Sequence, residues 1–264
     1  MKVAVAKPQA IVLDFMSTAV KAGFIEKALY KFLRTKGRDV IAKKWSDKDF
    51  MQVVTQVRRQ SRKDMADHPD KMSGMPVVSE KTDDMAAQQD SVFANMIWMM
   101  DHDMETNAHY RLKYALYEHG YNSGQVVTHV YSDVSRNISK WKSEGIKIYL
   151  FSHAWIQTQK LFMKHTNHGE LFSYIDGFFD TQALGRMDRV DSYEKLIREL
   201  VLSPDQVLFL TKGTTEGNVA KAAGIHSILV VSHSYQLEKY DRETLNSFER
   251  LRSFDELEWI EVPE

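Results

Sequence analysis

The sequence predicts an α/β protein, a doubly wound parallel sheet carrying a helical insert after its first strand. Three observations predict it. Four short apolar runs, rich in β-branched and aromatic residues, have the length and composition of strands buried on both faces. Between the later runs the apolar period becomes helical, so strand and helix alternate as in βαβ units. Between the first run and the second lies a long span with helical spacing and no convincing strand.

Taken in order, the first strand is Ala10-Ile11-Val12-Leu13-Asp14-Phe15, apolar throughout except for an acid near its end. From Ile25, Leu29, Phe32 and Leu33 through Phe93, Ile97 and Met100 to Leu112 and Leu116, the spacing is that of helices. The polar stretch Ser61 to Asp90 holds Pro69 and Pro76 and reads as a loop or poorly ordered connector. Val130, Val134, Ile138 and Trp141 make a helix stopped by Gly145. The second strand is Ile146 to Phe151. Tyr193, Leu196, Ile197, Leu200 and Val201 form the next helix, ended by Ser203-Pro204, before strands at Val207 to Thr211 and His226 to Val231. The tail from Phe254 to Glu264 reads as a last strand with solvated charges. Residues 1–20 and 129–264 are thus expected to form the α/β core, and 21–128 the helical insert.

Composition narrows the function classes. The chain has 264 residues, with Lys+Arg 35 against Asp+Glu 36 and a formal net charge of −1. A nucleic-acid or membrane-surface binder usually needs a positive excess, so neither partner is expected. With no cysteine there is no disulfide framework, cysteine nucleophile or thiolate metal site. The apolar run at the N-terminus is too short for a signal peptide, and no stretch approaches the ~20 apolar residues of a membrane span. The expected setting is the cytoplasm, with the nucleus as a second option.

In open α/β sheets, ligands bind beyond the carboxyl ends of the strands. Here those ends carry Asp14 to Thr18, Ser152-His153-Ala154 and Thr211-Lys212-Gly213-Thr214. A first-strand Asp, a second-strand Ser and an insertion after the first strand resemble the haloacid-dehalogenase-like phosphatases. Further runs sharpen the likeness: Gln159-Lys160-Leu161-Phe162, His165-Thr166, Gly169-Glu170-Leu171, Asp176-Gly177-Phe178-Phe179-Asp180-Thr181, Asp191-Ser192-Tyr193 and Leu208-Phe209-Leu210-Thr211. Together they are similar to the enolase-phosphatases (acireductone synthases) of methionine salvage, strongly over Ser152 to Val231, moderately in the first strand and weakly in the insert.

That resemblance implies a helical cap over a haloacid-dehalogenase-like core. It also implies enolisation and dephosphorylation of 2,3-diketo-5-methylthiopentyl-1-phosphate with one Mg²⁺. The family chemistry needs an Asp nucleophile and, two residues later, an acid that protonates the leaving oxygen and then activates water. A Ser or Thr binds the phosphate, a Lys neutralises it, and a later Asp completes a hard-oxygen Mg²⁺ site.

Against that pattern the chain departs at several positions. The family's D-x-E-G-T reads Asp14-Phe15-Met16-Ser17-Thr18, so the nucleophile position stays while its acid becomes a thioether. S-S-G-S reads Ser152-His153-Ala154-Trp155. The phosphate lysine falls on Met187 within Gly185-Arg186-Met187-Asp188, and the metal aspartate on Lys212 within Phe209-Leu210-Thr211-Lys212. In the insert, L-Q-G-x-x-W reads Leu112-Lys113-Tyr114-Ala115-Leu116-Tyr117.

An ammonium cannot ligate Mg²⁺ and repels it. Two unit charges ~4 Å apart at an effective dielectric near 20 interact by about 4 kcal/mol, and a divalent ion doubles that. The expectation is a pseudoenzyme: Asp14 a retained but silent nucleophile position, and Ser152, His153 and Met187 a vestigial phosphate site. No metal is expected, its ligand positions being replaced by Met16 and Lys212, and no other cofactor. Lys212 is expected to pair with Asp14, and the chain to bind a protein partner, with a phosphorylated metabolite as a further candidate ligand. The alternative is an active phosphatase or enolase using Mg²⁺ on the family substrate or another small phosphorylated metabolite.

Other candidates weigh less. His165 and His168 lie three apart without a third ligand, and His102, His109, His119 and His129 are scattered, so all read as structural or surface residues. Met96, Met99, Met100 and Met104 with Trp98 read as adaptable core packing, or otherwise as a hydrophobic binding face.

Overall fold

The computed structural model describes residues 2–21, 23–231, 240 and 242–260. The chain divides into two compact units, Met1–Ala22 with Val127–Glu264, and Gly23–Val126.

The first unit holds a six-stranded sheet. In chain order its elements are β2 (Ala10–Asp14), α5 (Ser132–Ser143), β3 (Lys147–Ser152), α6 (Ile156–Lys164), β4 (Gly177–Asp180), α7 (Val190–Leu200), β5 (Val207–Thr211), α8 (Thr214–Ala222), β6 (His226–Val230), α9 (Arg242–Asn246) and β7 (Arg250–Leu251). The spatial order is β4-β3-β2-β5-β6-β7, every neighbouring pair parallel. All five residues of β2 and of β5 are buried, as central strands covered on both faces must be. All strands therefore deliver their carboxyl ends to one edge. Strand β1 (Val3–Ala6) pairs in parallel with β8 (Leu257–Ile260), which is the strand within the described part of the expected tail, residues 261–264 lying outside the described residues. On one face Tyr193 meets Phe151 and Phe209 edge-on, at 5.6 and 5.4 Å between ring centroids.

The expected helix through Val201 ends one residue earlier. Val201 is left-handed at φ 54° and 87% exposed, so the residue that extended the apolar period sits outside the helix as its cap. A β-branched side chain is strained there and buries nothing in return. Val201→Gly should therefore stabilise the protein by about 1 kcal/mol, raising the melting midpoint by about 2–4 °C in thermal unfolding. No gain, or a loss, would show that the valine side chain contributes something its exposure does not reveal.

The second unit is helical: α1 (Lys31–Lys44), α2 (Lys48–Asp67), α3 (Met85–Asp101) and α4 (Asn107–Asn122), with no strand among its described residues. The expectation of a loop from Ser61 to Asp90 is corrected at both ends, because α2 runs to Asp67 and α3 begins at Met85. Asp47 and Asp84 cap these helices through the backbone N–H groups of Asp49 and Phe50, and of Ala86 and Ala87. The polar period hid them because their inward faces carry Arg58, Ser61, Gln88 and Asn95, all buried. These side chains hold the intervening segment: Arg58 donates to the Ser79 carbonyl at 2.6 Å, Asn95 to that of Pro76 at 2.8 Å, and the Val78 N–H donates to Ser61 Oγ at 3.3 Å. Met96, Met99 and Met100 are buried, and Met99 packs with Met72 and Met75. Gly120 is required by packing, since a Cβ there would stand 2.6 Å from the Phe32 ring. Among the described residues no helix is long and apolar enough to cross a membrane.

Candidate functional site

Parallel pairing places four polar residues along one edge of the sheet. Asp14, Ser152, Asp180 and Thr211 are the last residues of β2, β3, β4 and β5, and Asp14 aligns with Phe151 while Ser152 aligns with Asp180. Asp14 is only 7% exposed and accepts a hydrogen bond from Thr211 Oγ1 at 2.8 Å. Immediately after it the chain tightens into a single π-helical turn, Phe15–Ala19, which holds Met16 half-buried and Thr18 buried.

Lys212 follows β5 directly, and its backbone is held on both sides. Its N–H donates to Thr18 Oγ1 at 3.1 Å, and its carbonyl accepts from the Tyr240 hydroxyl at 2.6 Å. The side chain is largely buried: Lys212 is 8% exposed, with its ammonium 5.4 Å from the centroid of the Tyr131 ring. Burial lowers its pKa below the ordinary lysine value, while the negative charge of Asp14 pulls it back up. Asp14 thus acts on the ammonium through its charge, but among the described residues no ion pair joins the two, so the direct pairing expected from the sequence is not seen.

The other expected site residues fare differently. Ser152 is fully buried and its Oγ accepts the Ala154 N–H at 3.1 Å, closing the turn after β3. His153 in that turn is exposed. Met187 is buried at 1% in the apolar cluster with Phe151, Leu184 and Tyr193, and its carbonyl accepts the Tyr193 hydroxyl at 3.0 Å. Burial first, then the charges of Asp14, Glu216 and Asp188, raise the Tyr193 pKa, so the phenol stays protonated. Arg186 and Arg189 are exposed and face Asp188 and Asp191.

Sequence reasoning passed over two contributors, Tyr131 and Tyr240, and named Thr211 as a strand-end residue without a role. Thr211 closed a family-like run, a usable signal, but its bond to Asp14 depends on the register of β2 against β5. Tyr131 and Tyr240 carried no signal at all. Asp180 belongs to one of the family-like runs, yet its task is structural: its carboxylate accepts the N–H groups of Ile156, Gln182 and Ala183 at 3.0, 3.0 and 2.9 Å.

The donor set can be tested against Mg²⁺, which demands hard oxygens in near-octahedral order. Asp14 offers a carboxylate, but position 16 carries a thioether and position 212 a buried cation. Among the described residues no three His, Asp or Glu side chains converge as a metal-holding group. These residues do not fit the ion.

No family model matches the chain. Among solved structures, that of the UTR4 protein (unknown transcript 4 protein) of Saccharomyces cerevisiae superposes with a TM-score of 0.71 at 19% identity, covering 94% of this chain and 99% of that one. The CbbY protein of Rhodobacter sphaeroides, solved in complex with phosphate, gives 0.52 at 14% identity over 94% and 95%. At such identities these establish the shared fold. Sequence relatives go further. The Aquifex aeolicus protein named enolase-phosphatase E1 is 27% identical, covering 95% of this chain and 99% of the relative. The Xenopus tropicalis enolase-phosphatase E1 is 32% identical over 222 residues, 84% of each chain. Identity of nearly a third along most of both chains, on the parallel sheet expected from the strand-end motifs, makes this chain a member of the enolase-phosphatase E1 family.

Proposed function

We propose that this chain is a member of its family that does not turn over phosphate esters and that acts by binding, with a protein partner, in the cytoplasm. The observation that carries this reading is Lys212, a buried ammonium beside Asp14 where the family resemblance calls for a Mg²⁺ ligand. Two further replacements support it. Met16 cannot donate or accept a proton, and loss of a general acid alone ordinarily costs about 10²–10⁴ in rate. Met187 lies in the apolar core and brings no charge to a phosphate.

A second reading has its own support. The relatives bear the name enolase-phosphatase, and Asp14 and Ser152 remain at their strand ends, so turnover of a small phosphorylated metabolite is the competing function. Release of phosphate from an aryl phosphate, with and without Mg²⁺, separates the two when the protein is compared with Asp14→Asn. Equal, background-level rates are expected. Turnover that Asp14→Asn abolishes would establish the second reading and dispose of the first.

A further inference from the structure

We infer that the Lys212 ammonium is the permanent counter-charge of Asp14, replacing a divalent cation, so that the strand-end site is closed to Mg²⁺ and the fold requires none. This rests on the family placement and on the non-hydrolytic reading above, and adds what now holds the site together.

The argument begins with burial. Asp14 is 7% and Lys212 8% exposed. A buried charge is expensive unless a neighbour of opposite sign and a set of hydrogen bonds compensate it. Strands β2 and β5 are parallel neighbours, and Leu13 aligns with Leu210, so the next residues of both strands leave the sheet at the same edge. Asp14 there receives the Thr211 hydroxyl at 2.8 Å. Thr211 Oγ1 in turn accepts the Gly213 N–H at 2.9 Å, so the hydroxyl proton is aimed at the carboxylate. The residue between them, Lys212, is fixed at its root by Thr18 and Tyr240.

Its ammonium faces the Tyr131 ring, whose negative π face favours a cation over a neutral group. Glu216, whose carboxylate lies against Gly213, adds a second negative charge near the site, and Lys212 is the cation that faces Asp14. A divalent ion placed at Asp14 would meet the Lys212 ammonium repulsively. The arginines nearest in sequence to the lost phosphate lysine cannot take over this duty. Arg186 and Arg189 have side chains 77% and 69% exposed and already face Asp188 and Asp191.

The test uses the full chain stripped with EDTA, followed by thermal unfolding and calorimetric titration with millimolar MgCl₂. The wild type should show no binding heat and a midpoint shift below ~1 °C. Lys212→Met should lower the midpoint by about 4 °C or more, without recovery in Mg²⁺, because Asp14 loses its counter-charge. Adding Asp14→Asn to Lys212→Met should restore part of that loss. Lys212→Asp should be destabilised in EDTA and regain stability with Mg²⁺.

Mg²⁺ binding by the wild type that Asp14→Asn removes would overturn the inference. So would a Lys212→Met protein as stable as the wild type, a result that needs no information from Lys212→Asp. The two proposals fail separately. Wild-type Mg²⁺ binding without phosphate release sinks this one alone, and metal-free phosphate release dependent on Asp14 sinks only the non-hydrolytic reading.

Discussion

Replacing Asp180 by alanine is expected to cost about 3 kcal/mol of stability and to loosen the turns that follow β3 and β4. The carboxylate sits at the end of β4, 3% exposed, and takes three backbone N–H groups. One belongs to Ile156, the first residue of α6, whose N-cap residue Trp155 supplies no side-chain acceptor of its own. The other two open the turn after β4. Hydrogen bonds to a charged group contribute about 1.5–3 kcal/mol each, and the helix dipole adds to the first. The three do not sum, because Gln182 and Ala183 are exposed and their N–H groups would recover water.

Asp180→Asn keeps one acceptor oxygen and should lose about half as much. Its amide NH₂ would face N–H groups that have nothing to accept it. Urea unfolding of both variants checks the order. An Asp180→Ala protein within about 1 kcal/mol of wild type would mean that the two turns are held elsewhere, with Gln159 the evident candidate. That side chain donates to the carbonyls of Ala154 and Phe179 at 2.6 and 2.8 Å and so ties the same two turns together.

This division of labour explains what was legible in the sequence. Strands β2, β3, β5 and β6 were readable because central parallel strands are buried on both faces and leave continuous apolar runs. Strand β4 was not read as a strand: it is four residues at the sheet edge, three of them only half-buried, and it begins with glycine. Helix α7 was readable by period, but Val201 shares that period while lying outside the helix, since spacing alone cannot report a change of φ. The ends of α2 and α3 were lost for the opposite reason, their inward faces being polar.

Within the site, Asp14, Ser152 and Lys212 could be found because each ends or follows an apolar run, where ligands of parallel sheets gather. Met187 shows the limit of motif transfer. The residue that the family resemblance sets against a phosphate-binding lysine lies in the core with Tyr193, and only burial reveals it. Thr211, Tyr131 and Tyr240 reach Asp14 or Lys212 through register and through segments distant in sequence, which no local pattern encodes.

Acid should destabilise the helical unit through His109 by about 3 kcal/mol between neutral pH and pH 4. This histidine is fully buried, and both its ring nitrogens are engaged. Nδ1 accepts the Thr106 N–H at 3.2 Å and lies 2.9 Å from the Thr106 hydroxyl, while Nε2 lies 3.0 Å from Asn95 Oδ1. The backbone N–H requires Nδ1 to be the acceptor, so Nε2 carries the proton and donates to Asn95, whose amide in turn donates to the Pro76 carbonyl. A neutral ring is therefore built into the capping box of α4 and into the tie that holds the segment between α2 and α3.

Burial, and secondarily the Lys113 charge, lower the His109 pKa from 6.5 to about 4. Between those values the unfolded chain binds a proton that the folded chain refuses. Stability is complete above 6.5, falls as the pH drops through this window, and stops changing on this account below about 4. Each unit of pKa difference is worth about 1.4 kcal/mol, which gives the figure stated. Carboxylates titrate in the same range, so the measurement is a comparison. Urea unfolding of the wild type and of His109→Gln, followed from pH 7 to 4, should show a steeper decline in the wild type, because glutamine keeps a donor and an acceptor but cannot take up the proton. Parallel declines would mean that the ring is already protonated in the folded protein or that the unit opens before acid reaches it.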